Sequence, residues 1–540
     1  MDLGDNIKYY DLYEDGNPFE SVTFVNANND KMIESSYYTG SNLNNGQDYV
    51  NTKKALDVEC TYNEAEGVWE GVIPYLYDFS GLVASFTTVD ADAVVTVEGV
   101  EQVSGETVND FTNEITYVVK NANGSNQQTK VRLRNTGLPV VTLKGTVYSK
   151  ETDFDDIEGS TTMNINGTEY TCGLRLRGNS TQNMPKKPYA IKLDSGAEIL
   201  GMPKHKRWVF LANWLDRTML RNDMAFYLAQ QTGSWAPRGK HVELVLNGEY
   251  VGNYLLGEQI KIDENRLNIA DYVWGDLIKE IPSPTTSDVA NKIGYLLECD
   301  MAAASDEIYF EVKSPVPFYV YIKDPGDASE YSGTWSSYGA TLAYTYINDY
   351  FSRVGTALIN NDWTTIQSLI DYQSYADYWL FSEITVNQES KHPKSVYMHK
   401  DAGGKLKAGP AWDFDWGTFI SMDNITNNSS TAGQIKDDFT MKYTMWYPYL
   451  FKDPTFVAMV KSRWTTLKAK FNTSVTYLNE LSGMMALSDT FNHTMWPCTG
   501  FNKEYPNFDE TLSYDAAIDK MRTNINARIE WLDTQINNLN

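Results

Sequence analysis

Leu174-Arg-Leu-Arg-Gly-Asn-Ser-Thr181 and, shortly after it, Lys187-Pro-Tyr-Ala-Ile-Lys-Leu-Asp194 decide how the middle of this chain is built. Alternation along an extended chain puts Arg175 and Arg177 on one face of a strand and Leu174 and Leu176 on the other. Gly178-Asn-Ser then predicts a tight turn. In the second run Tyr189, Ile191 and Leu193 share one face, while Ala190, Lys192 and Asp194 share the other. The two runs read as neighbouring strands with a basic wall. Such a wall suits a solvated surface, or a phosphate chain gripped by arginine forks and by Lys192 as a point charge.

Toward the C-terminus the texture stays mixed. Strand-like runs cover Trp208–Leu211, His241–Leu246 and Tyr250–Leu256, with a helix predicted over Arg217–Gln231. Asp216 is placed to cap that helix. Arg217 and Arg221 would be i,i+4 neighbours beside Asp223, and a carboxylate here could orient Lys192. Asn247-Gly248 between alternating apolar runs signals a two-residue hairpin turn, and Glu258-Gln259 follows it. Beyond about residue 330 the pattern is mostly helical, as in Asp371–Ile384 and Ala516–Leu539; polar Thr426–Thr431 reads as a loop. Gly409-Pro-Ala-Trp-Asp-Phe-Asp-Trp-Gly417 carries Asp413 and Asp415 two apart. In an extended segment they point the same way, which suits a hard divalent cation sharing phosphate oxygens. The same spacing is also common in turns.

Toward the N-terminus, residues 1–145 read as β. Short alternating runs such as Ser21–Val25, Ala93–Val97, Glu114–Val119 and Lys130–Arg134 are separated by Asn, Gly and Asp clusters, the rhythm of sandwich modules. With 540 residues the chain exceeds one hydrophobic core. The expected layout is a β-rich region at 1–66, an immunoglobulin-like β-sandwich at 67–137 and an α+β domain at 138–540. Lys+Arg 45 against Asp+Glu 71 gives a net charge of −26, which repels nucleic acid and anionic membranes. It also repels ATP, so a nucleotide site must concentrate its cations, as the stretch from Arg175 to Arg221 does. No run of about 18 apolar residues predicts a membrane span. The start at Met1 lacks a basic segment and an apolar run, so an exported chain with its signal removed is expected. Cys60, Cys172, Cys299 and Cys498 show no zinc or C-x-x-C spacing and read as inert buried thiols.

R-G-N-S, K-K-P-Y-x-I-K, L-x-N-G-x-Y-x-G-x-Y-x-L-x-E-Q and G-P-x-W-D-F-D-W-G occur here in that order. Together they resemble the spore-coat protein H (CotH) kinase family over residues 138–540. The resemblance implies a protein-kinase-like two-lobed fold, with an N-lobe at about 138–265 and a C-lobe at about 266–540. It implies ATP with Mg²⁺ or Mn²⁺, and phosphoryl transfer to Ser or Thr hydroxyls of exported or surface proteins. It makes Lys192 the nucleotide-contacting lysine and Glu389 the catalytic-loop carboxylate. Asp413 and Asp415 become the metal ligands, with Asp413 favoured. Arg177, Asn179 and Ser180 serve the phosphates, and Glu258 and Gln259 stand where the hinge meets the base.

Two departures bear on activity. Glu389 stands where the family often has aspartate, and Ser395 where many relatives have asparagine, which removes a second metal ligand. A displacement of about 1 Å at a catalytic group can cost about a hundredfold. The competing expectation is therefore a catalytically inactive surface-binding or adhesion protein. A glycan-directed enzyme using paired carboxyls is the third reading, and no spacing here argues for it. His392 and His399 lie near the Glu389 loop, and Trp446, Tyr447, Tyr449 and Trp496 are expected in the core.

Overall fold

Apolar–polar alternation between turn-forming clusters makes the N-terminal region all-β, as expected. The computed structural model describes residues 13–38, 51–302, 308–325, 341–389, 393–420, 439–497, 509 and 511–540; His392, Thr426–Thr431 and Cys498 lie outside the described residues. Phe19–Phe24 pairs antiparallel with Val58–Glu59 and with Ser85–Thr88. A six-stranded sheet runs in the order Val100–Glu101, Val94–Val97, Ile115–Lys120, Asn126–Arg134, Val68–Val72 and Thr61–Asn63. Phe24, Tyr117, Val119 and Val131 are buried. Phe19 stacks on Phe86 at 5.0 Å, and Phe24 meets Phe111 edge-on at 4.9 Å.

The chain divides into two compact units. The first comprises Met1–Asp194, His241–Tyr254 and Met484–Pro497, and the second Ser195–Lys240, Leu255–Gly483 and Cys498–Asn540. In the first, Thr168–Leu176 pairs antiparallel with the strand beginning at Tyr189, with Arg175 opposite Ala190 and Gly173 opposite Lys192. Thr161–Ile165 and Val140–Gly145 extend the sheet antiparallel, and Gly239–Leu246 joins parallel to it. Asn247 and Gly248 both have positive φ, 52° and 83°, as a type I′ hairpin requires.

The second unit holds helix α1 (Arg221–Gln231) and an antiparallel sheet ordered Tyr309–Val312, Phe318–Asp324, Tyr295–Asp300, Val396–Lys400 and Leu406–Ala408. Helices α2 (Leu342–Asn360), α3 (Tyr372–Thr385) and α5 (Tyr514–Asn537) belong to it, as does α4 (Pro454–Met495) as far as Gly483. The sheet was not expected. Tyr295-Leu-Leu-Glu-Cys-Asp offers consecutive apolar residues rather than clean alternation, a pattern that does not separate strand from helix.

Helix α1 begins at Arg221, not Arg217. Asp216 takes the Thr218 N–H (2.9 Å), the Thr218 hydroxyl (2.7 Å) and the Arg221 N–H (2.8 Å), while Met219 sits at φ 62°. That side-chain turn competes with helix, so Asp216 anchors the first turn from a distance, and Arg217 and Arg221 do not share a helix face.

Trp446 centres the core of the second unit. It is 1 % exposed and packs on Phe351 (5.3 Å), Phe318 (5.9 Å) and Tyr375 (6.3 Å). Tyr447 is also buried, as is Trp496 in the first unit, while Tyr449 is half-exposed. Trp446→Ala is expected to lower unfolding stability by about 3–5 kcal/mol, read as a shifted denaturant midpoint with an unchanged slope.

Candidate active site

The Asp413-Phe414-Asp415 segment is not extended. Asp413 has φ 68°, so the alternation that would aim both carboxylates alike is broken at its first residue. Short polar side chains tolerate this left-handed region best after glycine. The surrounding side chains hold the backbone there. Asn387 Nδ2 donates to the Asp413 carbonyl at 3.0 Å. Phe414 N–H donates to Asn222 Oδ1 at 2.8 Å, and Arg221 Nη1 reaches the Asp415 carbonyl at 3.5 Å. Among the described residues, no hydrogen-bond donor reaches the Asp413 carboxylate.

Helix α3 delivers the second loop of the site. It ends with Val386 at φ 53°, whose N–H caps Ser382 O. Asn387, 2 % exposed, then turns back, its Oδ1 accepting the Glu389 N–H at 2.7 Å. Asn387 thus ties Glu389 to Asp413. Glu389 accepts from Lys394 Nζ at 3.0 Å. Burial, then repulsion from Asp413, pushes the Glu389 carboxyl up to about 7 against the pull of Lys394, and Asp300 adds further repulsion. The loop is fastened behind by Glu383 on α3, which is wholly buried and accepts from Thr440 N, Met441 N, Lys442 N and Arg528 Nη2.

The remaining expected site residues fall as follows. Lys192 pairs with Asp155, so its partner is not an acid from the stretch leading into α1, as the sequence suggested; Asp216 serves Thr218 and Arg221, and Asp223 accepts from Tyr477. Arg177 follows its strand, its N–H donating to Pro188 O at 3.2 Å. Gly178 has φ 85°, and a Cβ there would collide with Thr181 Oγ1. Asn179 accepts from Lys150 at 3.4 Å, and Ser180 precedes a short 3₁₀ turn. Glu258 is wholly buried and both its oxygens take Arg238, so its side chain is a structural ion pair rather than a ligand contact. Gln259 accepts Arg266 on its carbonyl, while its buried Oε1 has no partner among the described residues. His399 sits against the backbone: its Nδ1 meets Gly409 O at 2.9 Å, and burial pushes its pKa down to about 4.

Asn222, Asn387, Glu383 and Lys186 escaped the sequence reading. Lys186, 2 % exposed, bonds Asn253 O and Asn492 Oδ1 and lies 4.5 Å from the Tyr254 ring centroid; burial lowers its pKa to about 7. The K-K-P-Y run flagged it only as one of two adjacent lysines. Nothing local marks the others.

Among the described residues no group of three or more His, Cys, Asp or Glu could cage a metal, and no helix is long and apolar enough to cross a membrane. The Asp413 carboxylate on its held backbone offers an oxygen donor of the kind Mg²⁺ takes, an ion that keeps water and phosphate oxygens in most of its shell. Cys60, Cys172 and Cys299 are buried and unpaired with one another.

Asn387 thus joins the Asp413 backbone to the Glu389 loop within the second unit. The chain belongs to the CotH kinase protein family, whose family model matches residues 174–532. None of the curated proteins matches it. Two crystal structures show local likeness. One, provisionally described as a secreted protein from Bacteroides fragilis, is 19% identical with TM-score 0.14, over 22% of this chain and 96% of that one. The other, provisionally described as a glycoside hydrolase from Bacteroides thetaiotaomicron, is 18% identical with TM-score 0.11, over 26% of this chain and 45% of that one. At those scores neither carries an argument.

Glu389 binds its proton more tightly folded than unfolded, so between about pH 4.5 and about 7 the folded state holds more protons and loses stability as pH rises. Unfolding measured in a chelator should show Glu389→Gln gaining on the wild type by up to about 1.4 kcal/mol per pH unit across that window. A pH-independent difference would mean that Glu389 titrates normally.

Proposed function

We propose that this chain is an atypical, exported protein kinase that moves the ATP γ-phosphoryl group to Ser or Thr hydroxyls of exported or surface proteins. The observation that carries this reading is the Asp413 carboxylate, which no donor reaches among the described residues, on a pinned backbone linked through Asn387 to a half-buried Glu389. Asp413 and Asp415 would hold Mg²⁺ or Mn²⁺, which screens charge on the phosphate oxygens. Glu389 accepts the proton of the attacking hydroxyl as the new O–P bond forms and the bond to ADP breaks. Its raised pKa suits a base working near neutral pH. Lys192, with Arg177, Asn179 and Ser180, would hold the phosphates. The Lys192–Asp155 pair is exposed on its acid side, 24% against 75%, so a phosphate can replace Asp155 at small cost. The segment from Glu258 to Gln259 would meet the base through its backbone. This reading requires a two-lobed kinase-like arrangement that brings Lys192 to Asp413.

The Glu389–Lys394 ion pair at 3.0 Å favours a second reading, a catalytically inactive member that binds ligands at the cell surface, because it occupies the carboxylate a kinase would use as base.

With ATP and Mg²⁺ or Mn²⁺ the protein should melt at a higher temperature, and Asp413→Ala should abolish that rise. Glu389→Ala should keep the rise and lose radiolabel transfer to a Ser-rich peptide. No rise at millimolar nucleotide would end the kinase reading; a rise without transfer by the wild type would establish the inactive one.

A further inference from the structure

We propose that Asn222 is a positioning residue for the Asp413–Asp415 pair, gripping the peptide plane between Asp413 and Phe414 that sets the direction of both carboxylates. The inference rests on the metal-binding reading of those aspartates. One planar unit contains the Asp413 carbonyl and the Phe414 N–H. Asn387 holds the carbonyl end at 3.0 Å, and Asn222 holds the N–H end at 2.8 Å. The plane therefore cannot flip without breaking both bonds. It needs holding, because Asp413 at φ 68° lies in a sparsely populated region that persists only where its surroundings over-determine it.

Asn222 is itself oriented. It is 3 % exposed, and its Nδ2 donates to Asn213 Oδ1 at 3.0 Å, while Asn213 Nδ2 donates to Met219 O at 2.9 Å. That relay turns the acceptor end of Asn222 toward Phe414. One helical turn on, Phe226 meets the Phe414 ring edge-on at 6.4 Å and stacks with Trp412 at 6.0 Å. Residues four apart share a helix face, so α1 grips Phe414 by its amide and by its ring. The Asn222 amide supplies the acceptor for Phe414 and the donor for Asn213 from one planar group.

The experiment uses the full chain, Mn²⁺ titration followed by electron paramagnetic resonance, and hydrogen exchange of the Phe414 amide. Asn222→Ala should weaken Mn²⁺ binding about 10–100-fold and speed Phe414 exchange by at least about tenfold. Met224→Ala, equally buried in α1, should lower melting temperature while changing Mn²⁺ affinity by less than about twofold. Asn222→Asp keeps the acceptor and should restore Phe414 protection. Wild-type protection in Asn222→Ala overturns the grip. Faster exchange with unchanged Mn²⁺ affinity overturns the positioning role. If the wild type binds no Mn²⁺, the metal reading of Asp413 and Asp415 falls and the positioning role with it, while the exchange arm separately decides the grip.

Discussion

A wholly buried carboxylate, that of Glu383, is the constraint on which the second unit's site depends. Its oxygens take Thr440 N at 2.8 Å, Thr440 Oγ1 at 2.9 Å, Met441 N at 2.7 Å, Lys442 N at 3.0 Å and Arg528 Nη2 at 2.7 Å. Arg528 Nε also holds the Glu383 carbonyl at 2.7 Å. Burying a charge is expensive unless every lone pair finds a partner, and stranding one member of such a pair costs about 3–5 kcal/mol. The arrangement therefore has few alternatives. It locks the last turn of α3 to α5 and to residues 440–442. Two residues on, Thr385 O receives the Phe419 N–H at 2.6 Å, and Asn524 on α5 gives its amide to Phe419 O at 2.9 Å.

From that post the chain can carry strain. Val386 at φ 53° is β-branched in a region such residues avoid, and Asp413 at φ 68° is a second departure. Each costs about 1–3 kcal/mol, and both lie within the Glu389–Asp413 site. The Asp216 turn, the α1 grip on Phe414 and the Asn387 tie all converge on this segment. Strain concentrated at one place, with buried polar groups holding it, is the pattern of a site whose geometry matters more than its local stability. Lys192 in the first unit contrasts with it: its pair with the exposed Asp155 is solvated and replaceable.

Much of the scaffold was legible in the sequence. Period-two alternation placed the 174–194 strands with the right faces, and Asn247-Gly248 named its turn, because both signals are local. α3 and α5 were legible from helical spacing. The Asp413-Phe414-Asp415 segment was singled out, but its conformation was not foreseen, since the grips on it come from Asn222 and Asn387, far away in sequence and without periodicity. The start of α1 was misplaced for a related reason: Asp216 satisfies the Arg221 N–H from five residues back rather than from a normal capping position. The Tyr295–Asp300 strand escaped because burial on both faces erased its alternation.

Glu389, at a position where the sequence resemblance leads one to expect aspartate, is best understood together with Lys394. The backbone at 389 is held by Asn387, and α3 fixes where the loop begins, so the extra methylene cannot be absorbed by moving the chain. It must extend the carboxylate further into a space shared with Asp413, where burial and like charge both oppose ionisation. Lys394, 3.0 Å away, supplies the opposing charge that lets the longer acid ionise near neutral pH. A shorter side chain from the same backbone position would end further from that ammonium group. The longer acid and its lysine therefore act as one electrostatic unit, and neither residue's effect on the site can be judged with the other removed.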